Sequence, residues 1–455
     1  MGFRTSGMIA HKTPLKIAVI GSGISGLGAS WALSRRHDVT LFERDSRPGG
    51  HANTQIARLD GCDVPVDTGF IVYNTVNYPH LVRLFETLDV ATDASDMSFA
   101  VSLQGGAWEM AGHLTGLFGS TDQFTSREHW GLLADTVRFF RQAEQALSDP
   151  ATRDERLGSW LDRNAYGAPF VTRFLVPMAA AIWSSSATGI LDYPVRPFVR
   201  FFHNHGLLRL VNRIPWRTVK GGSQAYVSRL IDDMQAEIVF NAEIAQVTAT
   251  PTGPCIIEVN GNRRNFDAVL LACHADHAHA LLESDSDGER RAFLEAFSYQ
   301  PNEAVLHTDA ALMPNRRRLW SSWNYSSCGD GTGDHPIALT YWMNRLQNIT
   351  TSDQVFVTLN PSTEPDPATV MTRISYDHPQ FDLSALAAQQ SLPEIQGRDG
   401  IWFAGSYTGY GFHEDGLRSG LQVADALGAP APWWSDVDKK LSPSTSLQPS
   451  MAEAA

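Results

Sequence analysis

With 455 residues, 43% of them hydrophobic, the chain can bury a large core, and length alone suggests about two to three domains. A net charge of −13 argues against nucleic acid and against broad adhesion to anionic lipid, leaving at most peripheral membrane contact through clusters such as Arg316-Arg317-Arg318. The cysteines, Cys62, Cys255, Cys273 and Cys328, form no C-x-x-C pair, so neither a disulfide framework nor a zinc site is expected, and they read as reduced thiols in the cytoplasm.

The first residues, MGFRTSGMIAHKTPLK, lack the apolar core of a signal peptide, and no segment is long enough to span a bilayer. Ile17-Ala18-Val19-Ile20 then reads as a buried parallel strand. Gly21, Gly23 and Gly26 follow as G-x-G-x-x-G, with Ser25 inside the motif, in the turn from strand to helix. The first glycine permits the turn, the second lets backbone approach a pyrophosphate, and the third lets helix and sheet pack closely. Free N–H groups at the helix start favour the negative charge. Val39-Thr40-Leu41-Phe42 reads as the second strand, and Glu43 stands where an acid accepts the ribose hydroxyls, with Arg44 beside it. A second glycine turn comes next: Arg47, Pro48, Gly49, Gly50, His51.

That turn resembles the R-x-G-G-R-x-x-T signature of the FAD-binding amine oxidase, phytoene desaturase and protoporphyrinogen oxidase superfamily, which makes FAD rather than NAD the expected dinucleotide. His51 departs from it, putting a titratable group where the signature has a fixed cation. By the same resemblance, the segment around Asp67 carries Thr68, Gly69 and Phe70 along the isoalloxazine. Residues 78–88 look helical and end the first cofactor segment. Residues 90–214 carry aromatic and aliphatic side chains at helical spacing and suggest a helical cap able to enclose a long apolar substrate. The H-x-H of His203 and His205 lacks a carboxylate nearby in sequence, and no metal is expected. From 215 the cofactor domain resumes, with strands at 237–240 and 243–247, Ile244 as the residue whose backbone meets adenine, and a central strand at 266–273. The histidines at 274, 277 and 279 read as a loop and helix start. Gly329-Asp330-Gly331-Thr332-Gly333 reads as a turn, not a second nucleotide loop. Ile401 to Tyr407 forms the last strand. Gly405 and Ser406 resemble the end of the superfamily's C-terminal flavin motif, with serine for the usual acid, and the N–H groups around Gly416 and Leu417 would meet flavin N1 and O2. From about Pro430 the tail reads as unstructured.

The expected fold is α/β: a discontinuous Rossmann-like FAD-binding domain (14–88, 215–280, 398–430), an inserted α+β substrate domain (89–214, 281–397) and a tail (431–455). GGHANT, VDTGFIVYN, MAAAIWSS, HNHGLL and AGSYTGYGFHEDGLRSG together resemble flavoproteins that accompany, or are fused to, cyclopropane-fatty-acyl synthases and related lipid methyltransferases. The resemblance implies non-covalently bound FAD. It also implies a fatty acyl or phospholipid substrate, desaturated or isomerised by hydride transfer to flavin N5. A methyltransferase partner and oxygen or another electron acceptor belong to the same expectation. Tyr341 and Glu414 are the candidates for the proton acceptor. The rival readings are an amine oxidase, an accessory FAD-binding subunit without turnover, and a sugar-nucleotide isomerase.

Overall fold

The computed structural model describes residues 14–183, 187–209, 214–282, 287–329 and 338–441. Five short strands, all but the edge strand Glu237–Val239 largely buried, make a parallel sheet in the order Glu237–Val239, Asp38–Phe42, Lys16–Ile20, Ala268–Leu271, Ile401–Phe403. Near-continuous apolar runs are what a parallel sheet covered on both faces requires. Its strands come from three distant pieces of chain. The helix Ile24–Leu33, with every residue buried, packs on the helix His413–Ala426.

A second, seven-stranded sheet runs Val370–Pro379, Tyr299–His307, Phe356–Leu359, Ala338–Trp342, Trp323–Ser327, Phe99–Leu103, Trp108–Ala111. It is antiparallel except where Phe99–Leu103 lies parallel to Trp323–Ser327. A small sheet, Val72–Asn74, Trp216–Val219, Thr92–Ser95, ties the chain leaving the first sheet to the chain returning to it. The mixed α/β architecture is therefore the expected class. Three local readings need correction. Residues 90–214 do not begin helical: strands at 92–95, 99–103 and 108–111 come first, the first two held by partners more than 100 residues away and the third paired to the second as a hairpin. The last cofactor strand stops at Phe403, and Ser406–Thr408 is a 3-10 turn. The tail is not unstructured from 430, because Trp434–Leu441 is a helix. Trp433 stacks on Trp31 with centroids 5.4 Å apart, and Trp434 on His80 at 5.0 Å. Two large rings gain enough by burial to order a segment whose composition favours disorder. Residues 442–455 and 330–333 lie outside the described residues. Among the described residues no helix is long and apolar enough to cross a membrane.

Asp67, fully buried, joins these parts. Its carboxylate accepts from Thr54 Oγ1 (2.6 Å), Ser223 N (2.8 Å), Ser223 Oγ (2.8 Å) and Gln347 Nε2 (2.9 Å). Burial pushes its carboxyl up to about 6, against the pull of Thr54 and Ser223. Asp67→Ala would strand several buried donors. We expect it to destabilise the fold by about 2–3 kcal/mol, read as lower thermal and urea midpoints; unchanged midpoints would remove Asp67 from this role.

Candidate functional site

Ser22 and the two glycine turns organise the site. Ser22 N and Oγ donate to Glu43 Oε2 at 2.8 and 2.5 Å, and Asp45 N donates to Oε1 at 2.9 Å. Ser22 O accepts from Gly49 N at 2.9 Å, so the first turn holds both the acid and the second turn. Gly21 has φ +104°, a left-handed backbone, and a Cβ there would sit 2.8 Å from Ala272 O. Gly23 differs. Its backbone (φ −64°, ψ 175°) suits any residue, and a Cβ would meet no protein atom within 4 Å. Nothing in the protein demands glycine there, so the demand comes from what enters the cavity it borders. Gly23 caps a buried helix with no side-chain cap and no acid in its first turn, leaving N–H groups for an anion. This cradle fits a dinucleotide pyrophosphate.

The cavity has a volume of about 1080 Å³ and runs from this cradle into the space between the two larger sheets. Gly21, Gly23, Ser25, Glu43, Arg44, Gly49, Gly50, His51, Thr68, Gly69, Phe70, Ile244, Gly405 and Ser406 all border it, as does Tyr341. Gly26, Arg47, Gly416, Leu417 and Glu414 are not among its lining residues. Each has a different task. A Cβ on Gly26 would lie 1.8 Å from Gly21 O, so Gly26 serves packing. Arg47 donates to Gly50 O at 2.9 Å and braces the second turn. Gly416 N is spent on Phe412 O (3.1 Å), and Leu417 is wholly buried with its Cδ1 against Gly28. The residues just before this helix and at its start, Tyr410, Gly411, Phe412 and His413, border the cavity instead.

Neither proposed proton acceptor suits that work. Glu414 Oε1 and Oε2 accept from His80 N (2.8 Å) and Leu81 N (3.0 Å), capping the helix Pro79–Thr87 from across the fold. Burial pushes its carboxyl up to about 8 despite those two donors. Tyr341 is in the cavity wall, edge-on to Trp323 at 4.9 Å, but burial pushes its phenol above the ordinary value, away from a base at neutral pH.

The sequence reading missed a group of aromatic and imidazole side chains around His51. Tyr376, His378 and His274 lie with ring centroids 4.9, 5.5 and 5.9 Å from it, and His51 Nε2 is buried without a hydrogen-bond partner among the described residues. Tyr376 Oη accepts from Asn53 Nδ2 (2.9 Å) and lies 2.8 Å from Thr68 Oγ1. Asn302 Nδ2 is 2.8 Å from His378 Nδ1, which assigns the proton of the neutral ring to Nε2. Burial, then the neighbouring His378 and His274, hold the His51 imidazole well below its ordinary value. His413 stacks on Phe70 at 3.9 Å, with Nε2 2.6 Å from Tyr226 Oη. The H-x-H histidines separate: His203 pairs with Glu144 at 2.8 Å, while His205 borders the cavity with Nδ1 3.0 Å from Phe201 O. His274, Asp276 and His277 place possible ligand atoms within 4.8 Å of one another. Arg44 Nη1 stands 3.4 Å from His277 Nε2, a fixed cation that opposes a metal there. The departure of His51 from the R-x-G-G-R pattern was the one signal in the sequence; residues 376 and 378 gave none, being brought in by an edge strand.

A dinucleotide cradle continuous with a wide cavity under a second sheet defines a flavin-dependent oxidoreductase. The profile described as flavin containing amine oxidoreductase matches residues 24–352, and the chain belongs to that family. It is an FAD-dependent oxidoreductase. Over 302 residues it is 23% identical to the 4,4'-diapophytoene desaturase (4,4'-diaponeurosporene-forming) of Staphylococcus aureus (strain MRSA252), a match covering 58% of this chain and 55% of that protein. The match thus spans about half the length of that relative. Among solved structures, the fold resembles the cyclohexylamine oxidase of Brevibacterium oxydans IH-35A (TM-score 0.66, 13% identity, covering 91% of this chain and 98% of that one). It also resembles the CLA-producing fatty acid isomerase of P. acnes (TM-score 0.64, 14% identity, 91% and 99%).

Two outcomes follow. Gly23→Ala should leave the fold's thermal midpoint in the apoprotein unchanged and weaken FAD binding at least about tenfold, whereas Gly26→Ala should lower the apoprotein midpoint itself. A diphosphate bound beside His51 would favour its protonated form, so binding would take up protons and FAD affinity should rise as pH falls from 8 to 6, by up to about tenfold per pH unit. His51→Arg should flatten that slope, as titration of flavin fluorescence would show; a flat wild-type profile would remove His51 from the phosphates.

Proposed function

We propose that the chain oxidises, desaturates or isomerises an unsaturated or methyl-branched fatty acyl chain, with FAD held without a covalent bond. One observation carries the reading. The cavity continues from the cofactor cradle along an apolar wall of Phe140, Phe174, Met178, Ile182, Trp183, Phe201 and Leu207, a lining that suits a hydrocarbon. The residues between 140 and 207 that make this wall belong to, or pack against, the largest apolar cluster of the protein among the described residues.

Bound FAD supplies a two-electron acceptor for hydride from an allylic carbon. Gly21, Gly23, Glu43 and His51 would hold its dinucleotide end, and Thr68, Gly69, Phe70 and His413 its ring end. The chain's own work is orientation and exclusion of water. Burial holds His413 at about 3 and His205 at about 4, so both imidazoles are neutral at pH 7 and the wall beside Phe70 is uncharged, as a hydrocarbon needs. With Nδ1–H donating to Phe201 O, His205 keeps a lone pair on Nε2, a base weakened by burial that takes a proton only from a strongly acidic carbon such as one beside a site of hydride loss. Cys273, the cysteine among the lining residues, has its thiol pushed by burial to about 12, a poor nucleophile for covalent attachment. The motif resemblance supports a lipid methyltransferase as partner and a product of that methylation as substrate; electrons leave to oxygen or another external acceptor.

Lipid mass spectrometry of cells with and without the gene tests the reading. Acyl species two mass units lighter, or of equal mass with a moved double bond, are expected only where the gene is present. In the purified holoenzyme, His205→Gln should keep its FAD and lose turnover. Peroxide release on amines, with unchanged acyl lipids, would replace the proposal by an amine oxidase.

A further inference from the structure

Among the described residues that line the cavity, two carry a fixed positive charge: Arg44, next to Glu43 on the cofactor sheet, and Arg345. Arg345 follows the strand Ala338–Trp342 in the short helix Met343–Leu346, whose Met343 and Leu346 are fully buried, so its backbone is firmly seated. Its guanidinium donates to Asp96 Oδ2 at 3.0 Å and, more weakly, to Trp320 O at 3.4 Å. These are single contacts from a group with five N–H donors, and its side chain is 38% exposed on the cavity side of the fold.

Asp96 is in the opposite condition. Its Oδ1 accepts from Ser98 N (2.8 Å), Ser98 Oγ and Ser322 Oγ (2.7 Å), and its Oδ2 from Arg345. A carboxylate so supplied with donors orients the arginine and has little left to offer an ammonium. The surrounding wall, Ser95, Ser98, His113 and Trp323, is polar on one side and leads back to the apolar wall on the other.

We propose that Arg345 anchors the anionic head of the substrate, a carboxylate or phosphate, with Asp96 as its positioning residue and the hydrocarbon laid along the Phe140–Leu207 wall. This rests on the acyl reading above and adds to it the head group. A planar guanidinium held by these two contacts, one of them long, presents its remaining donors to two oxygens of an anion, a geometry that an ester or an amine does not satisfy.

Trp183, Trp216 and Trp323 border the cavity, so intrinsic fluorescence of the FAD-loaded protein reports binding without turnover. The probes are oleate, 1-oleoyl lysophosphatidate, methyl oleate and oleylamine, titrated below their aggregation limits into wild type, Arg345→Gln and Arg345→Lys. Wild type should bind oleate or the lysophosphatidate at least about tenfold tighter than methyl oleate, and the tighter of the two acids identifies the natural head. Arg345→Gln should bind acid and ester alike, at the strength of the wild-type ester, while Arg345→Lys keeps part of the preference. Equal binding of acid and ester by wild type would overturn the anchor and leave the acyl reading standing; that comparison needs no variant to fold. Binding of oleylamine alone would overturn both.

Discussion

The close approach of two helices, Ile24–Leu33 and His413–Ala426, is the constraint from which the site follows. A Cβ on Gly420 would stand 2.1 Å from Ser25 O, one on Gly28 2.4 Å from Leu417 Cδ1, and one on Gly416 3.0 Å from Ser25 Oγ. Backbone meets backbone only because these side chains are missing. The contact brings the start of one helix, with its uncapped N–H groups, beside the start of the other, where Phe412 and His413 turn toward the same cavity. Residues nearly 400 positions apart thereby share one binding surface.

Buried carboxylates fasten the rest to that pair. Asp67 links the hairpin after the second glycine turn to the returning chain at Ser223 and to the second sheet through Gln347. Glu414 reaches from the last helix to cap Pro79–Thr87, and Asp415 accepts from Tyr410 N and Phe412 N to shape the loop that ends in His413. In each case the acid satisfies backbone donors that would otherwise be buried unpaired, a requirement of packing. That explains why the acids nearest the flavin motif are structural and the cavity wall beside them is left to Tyr410, Phe412 and His413.

The pocket around His51 shows how two sheets cooperate. The second glycine turn supplies the imidazole, and the edge strand Val370–Pro379 supplies Tyr376 and His378. A charged arginine in that place would keep its charge when the cavity is empty, whereas a histidine can remain neutral when buried alone and gain a proton when an anion arrives.

How much of this was legible in the chain depends on range. The strand, glycine turn, helix and acid at 16–43 could be read because every part lies within 30 residues and their order and spacing are visible in the chain itself. Most of the residues expected at the cofactor, through Ser406, do border the cavity. The roles of Gly416, Leu417 and Glu414 were not legible: a motif shows that a loop is needed, and only packing decides which of its atoms face a ligand and which face a neighbouring helix. The strands at 92–103 and the ordered segment at 433–441 escaped for the same reason, since distant ladders and two tryptophan stacks outweigh local composition. By itself, then, the sequence determined that a dinucleotide cradle exists and where it begins. Tertiary structure alone decided what stands around it, because burial and side-chain contact across hundreds of residues carry no short-range signature.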